Sequence, residues 1–238
     1  MAFGDLTLLD QNKIFADASC VYRAVWGDGN YVYAAYEYTA NGIVSYSVDG
    51  SGNLTPIDNK EDGGIYRAVH GNGSHILTGG LRSYSVDGLG NLTNLDYNAS
   101  FLYGNATNIY WDGNFFLVVD TSGVHTVSVD GAGIITELDY QIFDLAGATG
   151  IWGDGNFVYV ARYNGMATIS VDGGGNISIV DTVGTPSALL GCWADGTYVY
   201  SGDYSLAYPG LHAAECFFPY GVAAELQLCI ALCGFLHL

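Results

Sequence analysis

Residues 151–181 read IWGDGNFVYVARYNGMATISVDGGGNISIVD, and degenerate copies of this stretch recur along the chain. Its opening phrase returns as VWGDGN at 25–30, VHGNG at 69–73, YWDGN at 110–114 and CWADGT at 192–197. Its closing phrase returns as SYSVDGSGNLTPID at 45–58, SYSVDGLGNLTNLD at 83–96 and TVSVDGAGIITELD at 126–139. A unit of about 42 residues therefore recurs five times, which indicates one repeated supersecondary structure.

Each unit reads as four short strands. Pairs such as Asp-Gly and Asn-Gly supply the positive φ that tight hairpin turns require. Between these turns, aromatic and β-branched residues alternate with small or polar ones, as on a pleated surface. Four strands in about 42 residues are typical of a β-propeller blade. The sequence therefore predicts an all-β fold, a five-bladed β-propeller of four-stranded blades.

The repeats also predict where the blades and their ends lie. The stretch GDLTLLD at 4–10 matches the end of a unit, so we expect this N-terminal strand to close the last blade. An edge-free ring would keep apolar strands from pairing with other chains. The predicted propeller spans 1–217, and an apolar tail follows at 218–238. The blade repeats lie near 21–58, 65–96, 105–139, 147–181 and 188–217.

The phrase FVYVARYNGMATISVDGGGNISIVD at 157–181 resembles the blade motif of the lactonase-like, or YVTN-type, propellers. In that motif an aromatic YVYVA strand is followed by a TISV strand, an acidic-glycine turn and a final LT strand. The resemblance covers roughly residues 4–205. It implies propeller architecture, although such relatives usually carry seven blades. Lactonases among them place polar residues in the central channel, but no catalytic residue of this chain can be matched.

Composition excludes some classes of partner. The formal charge is −18, and Lys and Arg together number only 6, so little is present to neutralise phosphates. Nucleic acids and anionic membrane surfaces are therefore not expected partners. No signal-peptide pattern opens the chain, and the apolar residues 221–238 are too short and too interrupted to predict a membrane span.

Two arginines occupy equivalent positions in the first two units. Arg23 and Arg67 stand where the other units have Thr107, Thr149 and Leu190. One interpretation is that the two guanidinium groups hold an anionic ligand. The other is that they pair internally with the abundant aspartates.

One large ring recurs at a fixed position of every unit. Aromatic rings stack on sugar faces, so this set is a candidate glycan-binding surface; alternatively, the rings pack between blades. The members are Trp26, His70, Tyr110, Trp152 and Trp193.

No cofactor and no metal site is expected. Calcium is an alternative because aspartates open most of the turns, but each turn supplies one carboxylate, whereas a calcium loop brings several oxygens together. Asp in such turns is explained by bonds to the local backbone. The histidines fall at dissimilar repeat positions, which argues against a symmetric metal ring.

The tail has three interpretations. It can complete the third strand of the fifth blade at 212–217 and then form a short C-terminal helix, predicted from apolar spacing at 226–237. It can dock on another subunit and produce a homo-oligomer. A frameshift in the gene is the third explanation for the abrupt change of composition at Leu211.

The sequence shows a clear fold and no catalytic motif such as G-x-S-x-G or H-E-x-x-H. The leading hypothesis is a non-catalytic binding or structural module on a cell, filament or virion surface that recognises glycan or protein and self-assembles. The alternative is a small lactonase-like or glycan-cleaving hydrolase with its site at the central channel.

Overall fold

A computed structural model describes residues 8–11, 20–38, 41–143, 147–185, 188–203 and 211–215, with backbone alone at 20, 38 and 211–215. Over these residues the chain forms 19 strands and no helix. The strands make five antiparallel sheets, four of them four-stranded. The prediction of an all-β protein built from four-stranded antiparallel sheets is therefore confirmed for the first four units.

Strands follow one another in chain order within every sheet. The first sheet holds β1 (Cys20–Gly27), β2 (Tyr31–Tyr38), β3 (Gly42–Val48) and β4 (Leu54–Lys60). The second holds β5 (Val69–Gly71), β6 (Ile76–Thr78), β7 (Arg82–Val86) and β8 (Leu92–Tyr97). The third holds β9 (Asn108–Trp111), β10 (Phe116–Val119), β11 (Gly123–Val129) and β12 (Ile135–Ile142). The fourth holds β13 (Ala148–Gly153), β14 (Val158–Arg162), β15 (Gly165–Val171) and β16 (Ile177–Gly184).

The fifth sheet has three strands in the described part of the chain: β17 (Leu189–Ala194), β18 (Tyr198–Asp203) and β19 (Leu211–Glu215). β19 pairs with β18, as the first interpretation of the tail expects for a third strand. The predicted C-terminal helix and the first residues of the strand at 4–10 lie outside the described residues. Within the described ranges, no helix has the length and apolar character needed to cross a membrane.

The turns have the chemistry that the sequence predicts. In the turn between β1 and β2, the Asp28 carboxylate accepts the backbone N–H groups of Asn30 and Tyr31, both at 2.8 Å. Gly29 takes φ 92° there, a conformation that suits glycine. The turn between β3 and β4 is built similarly on Asp49.

Successive outer strands are joined by a repeated aspartate contact. The last Asp of one repeat accepts the backbone N–H that begins the outer strand of the next, as Asp58 does for Leu92 at 2.8 Å. Asp10 makes the same contact with Leu54 at 2.8 Å. Asp10 therefore makes the contact with the first sheet that the last Asp of a preceding sheet would make. Further copies join Asp96 to Ile135 and Asp139 to Ile177.

The chain forms two compact units, each with its own core. One comprises Met1–Ser100 with Val129–Ile135, and the other comprises Phe101–Ser128 with Thr136–Leu238. The first core is rich in tyrosine, with Tyr33, Tyr66 and Tyr84 fully buried. The second is mainly aliphatic and packs Leu117, Val160 and Ile169 around Phe143.

Candidate functional site

The two arginines singled out by the repeat meet on one carboxylate, that of Glu37 in β2. Arg23 contacts Oε1 of Glu37 through Nε at 2.6 Å and through Nη2 at 2.5 Å. Arg67 contacts Oε2 through Nε at 3.0 Å. The acidic partner is therefore a glutamate, where the internal-pairing interpretation expected aspartates. We call these three residues the Arg23–Glu37–Arg67 cluster.

A β-bulge presents Arg23. The pairing of β1 with β2 slips between Tyr22 and Ala24, which leaves Arg23 as the extra residue. The same slip leaves Thr149 extra in β13 and Leu190 extra in β17. Bulges re-aim side chains and are common beside active sites. The bulge itself belongs to the repeat, whereas the side chain on it differs from one sheet to the next.

Threonine at this position has a structural role. The Thr149 hydroxyl lies 3.1 Å from the Ala161 carbonyl in its own sheet and contacts the Leu189 carbonyl at the start of β17. Thr107 likewise contacts the Val119 and Ala148 carbonyls. In the first two sheets arginine replaces this hydroxyl. The first two sheets have a long arginine where the third and fourth use a short threonine hydroxyl. This difference suggests that the arginines have a role besides holding the inner strands together.

The cluster is accessible and carries net positive charge. Two guanidinium groups and one carboxylate leave a formal charge of +1 in a chain of net charge −18. The Arg23 and Arg67 side chains are 37% and 45% exposed, while the Glu37 side chain is 10% exposed. The buried glutamate orients the arginines, and the exposed guanidinium edges can accept an anion.

The recurring large rings make contacts between neighbouring sheets. The Trp26 and His70 rings lie 5.4 Å apart, and the Tyr110 and Trp152 rings 5.8 Å apart. Tyr110 also donates its hydroxyl to the Gly153 carbonyl at 3.0 Å. These four rings are half-buried in such contacts. Trp193 stacks on Tyr200 and is 49% exposed, so its indole is the most accessible of the five.

His70 is held in its neutral form. Burial lowers the pKa of His70, and a contact of Nδ1 with the Gly71 carbonyl at 2.9 Å offsets only part of that effect. A neutral imidazole can donate or accept a hydrogen bond, but it adds no positive charge to the site. His70 therefore does not extend the Arg23–Glu37–Arg67 cluster as a third cation.

The turn carboxylates are engaged by their own loops. Asp49 accepts the N–H groups of Ser51 and Asn53 on Oδ1 and the Asn53 amide on Oδ2. These hydrogen bonds lower the pKa of Asp49, with the Asn53 side chain contributing most. The structure gathers no group of three or more His, Cys, Asp or Glu side chains suited to a metal among the residues it describes.

Sequence reasoning missed Glu37, the residue that joins the two arginines. Aligning YVYAAYE at 31–37 with FVYVARY at 157–163 places Glu37 opposite Tyr163. The other units have Leu81, Thr121, Tyr163 and Tyr204 at this position, so an acidic residue in the first unit alone was the available signal. Its partnership with Arg67, 30 residues away, depends on β1 and β5 lying side by side.

The sheets and their repeated contacts define the class of protein. Four-stranded antiparallel meanders that recur along the chain and join through equivalent strands are the building plan of β-propeller-like folds. The candidate site lies where the inner strands of the first two sheets meet.

Comparison with known proteins agrees at the level of the fold. No family model and no curated protein matches the chain. A putative 6-phosphogluconolactonase from Bacteroides uniformis is similar, with a TM-score of 0.69, 18% identity, and coverage of 85% of this chain and 69% of that one. A protein from Lactobacillus plantarum gives a TM-score of 0.61 at 18% identity, covering 78% of this chain and 64% of that one.

A third similar structure is a functionally unknown protein from Desulfotomaculum acetoxidans, with a TM-score of 0.59, 15% identity, and coverage of 82% of this chain and 69% of that one. This chain therefore spans 64% to 69% of the length of the three structures. Likeness at such identity concerns the fold alone, and it is consistent with a lactonase-like β-propeller architecture.

Proposed function

We propose that this protein is a lactonase-like hydrolase that opens an anionic sugar lactone at the Arg23–Glu37–Arg67 cluster. The observation that carries the proposal is the meeting of two exposed arginines on one buried glutamate. A solved structure of the same fold is named as a putative 6-phosphogluconolactonase, a name that supplies a candidate substrate class. A phosphorylated sugar lactone combines an anionic group with the ester to be cleaved.

The cluster supplies the groups that lactone hydrolysis needs. Arg67 donates Nε to Glu37, and the structure records no other partner for its guanidinium among the described residues, so its remaining N–H groups can bind a phosphate or a developing oxyanion. Glu37 is the general base: it takes a proton from water as the water oxygen bonds to the ester carbon. The ring C–O bond then breaks, and the alkoxide that leaves receives the proton from Glu37. The product is the open hydroxy acid.

A second candidate is the non-catalytic module, which would bind glycan or protein without turnover. One observation favours it: both oxygens of Glu37 already accept hydrogen bonds from arginine. The arginines occupy both carboxylate oxygens, and the Glu37 side chain is only 10% exposed, so little of the carboxylate is open to an attacking water. In that case the cluster would only bind the anion.

The experiment is a pH-stat assay of the full chain with δ-gluconolactone and its 6-phosphate, corrected for spontaneous hydrolysis. We expect faster turnover of the phosphorylated lactone, a loss of at least about 100-fold in kcat for Glu37→Gln, and mainly a raised KM for Arg67→Gln. Glu61→Gln is the matched control, since Glu61 is exposed and, within the described part of the chain, its side chain bonds only to the Asn59 amide. Binding without turnover would favour the module, and turnover unaffected by Glu37→Gln would rule out this site.

We also propose that the five sheets form a five-bladed propeller in which residues 4–10 supply the outer strand of the last blade. Support comes from the contact of Asp10 with Leu54, which repeats that of Asp58 with Leu92 at the same 2.8 Å. Electron microscopy of the purified protein tests the number of blades directly. A blade count other than five would contradict the proposal.

A further inference from the structure

A polar cleft opens at the turn end of the first two sheets. It is lined by the turn between β1 and β2, the turn between β5 and β6, and the end of β7 with its following turn. Its volume is about 430 Å³, within the range of small-molecule sites. The lining includes the side chains of Trp26, Asp28, Asn30, Ser74, His75 and Asp87.

His75 faces this cleft with an unused ring. The residue is only 9% exposed, and its backbone N–H bonds to Asn72, but the structure records no hydrogen bond to its imidazole among the described residues. The ring nitrogens of His75 are not among the enclosed side-chain atoms that lack a partner in the described part of the chain, so they are open to the cleft. A ligand in the cleft can therefore form a hydrogen bond with either ring nitrogen.

The charge of the lining restricts the ligand. Burial would raise the pKa of Asp28, but hydrogen bonds from the Tyr31 N–H and the Tyr33 hydroxyl lower it below its ordinary value. The Asn91 side chain chiefly lowers the pKa of Asp87. Both carboxylates are therefore ionised at neutral pH, and no Lys or Arg lines the cleft. An anionic ligand would be repelled, so the cleft cannot be part of the proposed lactone site.

The remaining groups match hydroxyls. Carboxylate oxygens retain lone pairs beyond those that the turn hydrogen bonds use, and the Asn30 amide and Ser74 hydroxyl can both donate and accept. Trp26 adds an aromatic side chain whose indole N–H is a donor. A ring bearing several hydroxyls can use all of these groups together with His75. A simple amine could use the carboxylates but has no further polar group to bond to the Asn30 amide and the Ser74 hydroxyl.

We propose that this cleft binds a neutral sugar residue. The site is separate from the Arg23–Glu37–Arg67 cluster and takes a ligand of different charge, so it stands whether or not the chain hydrolyses lactones. It gives the half-buried Trp26 a role in a ligand site in addition to its packing against Tyr33 and His70.

The test is binding of the labelled full chain to an array of neutral, amino and sialylated glycans, followed by titration with the best neutral glycan. His75→Ala removes the unused imidazole. Asn30→Ala removes an exposed amide without touching the core, so its fold is expected to be intact even if His75→Ala lowers the melting temperature. Asn156→Ala is the matched control, because Asn156 occupies the same turn position in the fourth sheet.

We expect neutral glycans to be retained and both cleft variants to weaken binding at least tenfold, with Asn156→Ala unchanged. Retention of amino glycans alone would overturn the assignment to neutral sugars. Absence of any neutral hit, or equal binding by Asn30→Ala and the unaltered chain, would overturn the site itself.

Discussion

His125 in β11 is fully enclosed and has a carboxylate at each ring nitrogen. Its Nδ1 lies 2.7 Å from Glu137 Oε1, and its Nε2 lies 3.3 Å from Asp120 Oδ2. Tyr140 stacks on the imidazole with centroids 4.2 Å apart. The His125 and Asp120 side chains are 0% exposed and the Glu137 side chain is 30% exposed, so the imidazole and the Asp120 carboxylate belong to the core.

Replacing Asp120 should therefore be costly. We expect Asp120→Asn to lower the free energy of unfolding by about 3–5 kcal/mol, because it leaves His125 and three backbone N–H groups with a weaker partner. Urea titration measures this loss. Glu61→Gln, an exposed change, should cost less than about 0.5 kcal/mol. Equal stabilities of the two variants would contradict the assignment.

Asp120 should also make the stability of the fold depend on pH in the acidic range. Burial would raise the pKa of Asp120, but hydrogen bonds from His125 and from the Ser122, Tyr103 and Gly123 N–H groups hold it below its ordinary value. The resulting stabilisation is complete above the unfolded pKa of about 3.9 and is lost as pH falls through the lower folded pKa. Urea midpoints measured from pH 6 to pH 2 should decline less steeply in Asp120→Asn than in the unaltered chain.

Cys192 should be an unreactive thiol although the residue as a whole is only half-buried. Burial raises its pKa to about 12, and the thiol donates to the Tyr159 carbonyl at 3.2 Å. Iodoacetamide at pH 8, followed by peptide mass spectrometry, should label Cys192 slowly in the native protein and rapidly in urea. Equal rates in both conditions would show that the thiol is exposed.

At the scale of strands and sheets, glycine lets neighbouring inner strands approach. A Cβ on Gly71 would lie 2.5 Å from the Trp26 ring, and one on Gly153 would lie 2.6 Å from the Tyr110 ring. The aromatic of one repeat thus rests on the glycine of the next. This contact explains the glycines at 71 and 153, whereas no ring lies against Gly27 among the described residues.

Gly153→Ala should lower the free energy of unfolding by about 1–3 kcal/mol through overpacking. The matched control is Gly191→Ala, because an added Cβ there meets nothing within 4 Å. Thermal melts of both variants provide the comparison. A control that melts as low as Gly153→Ala would refute the packing explanation.

The aspartate contacts between outer strands allow a second paired test. Asp139 accepts the Ile177 N–H at 2.7 Å, whereas the equivalent Asp181 bonds only to the adjacent Thr182 N–H among the described residues. Asp139→Ala should cost about 1–3 kcal/mol by leaving the Ile177 N–H unpaired, and Asp181→Ala much less. Chemical unfolding of the two variants would show equal losses if the contact between sheets were unimportant.

The strands and turns could be predicted because their causes are local. An Asp-Gly pair such as Asp28 and Gly29 favours a turn through local chemistry alone. The alternation of aromatic and small side chains in β2 predicts a pleated strand. The Arg23–Glu37–Arg67 cluster could be predicted only in part. Repeat alignment identified both arginines. Glu37 becomes their shared partner only when the first two sheets pack together, and the sequence of a single repeat does not predict that packing. The cleft at His75 combines three separate turns and left no signal in sequence.

At the scale of the whole molecule, the distribution of charge limits where an anion can bind. A chain of net charge −18 repels anions at long range, so an anion that binds must be held by short-range contacts. Among the five Lys and Arg residues that the structure describes, Arg23 and Arg67 are the pair that shares a carboxylate and stays substantially exposed. We therefore propose this cluster as the place where the molecule binds an anion.

Calorimetric titration of the full chain with a phosphorylated aldonic acid, the product class of the proposed reaction, tests this claim most directly. We expect saturable binding at one site per chain, weakened at least tenfold by Arg67→Gln and unchanged by Glu61→Gln. No binding, or equal affinity in the chain that lacks Arg67, would contradict it.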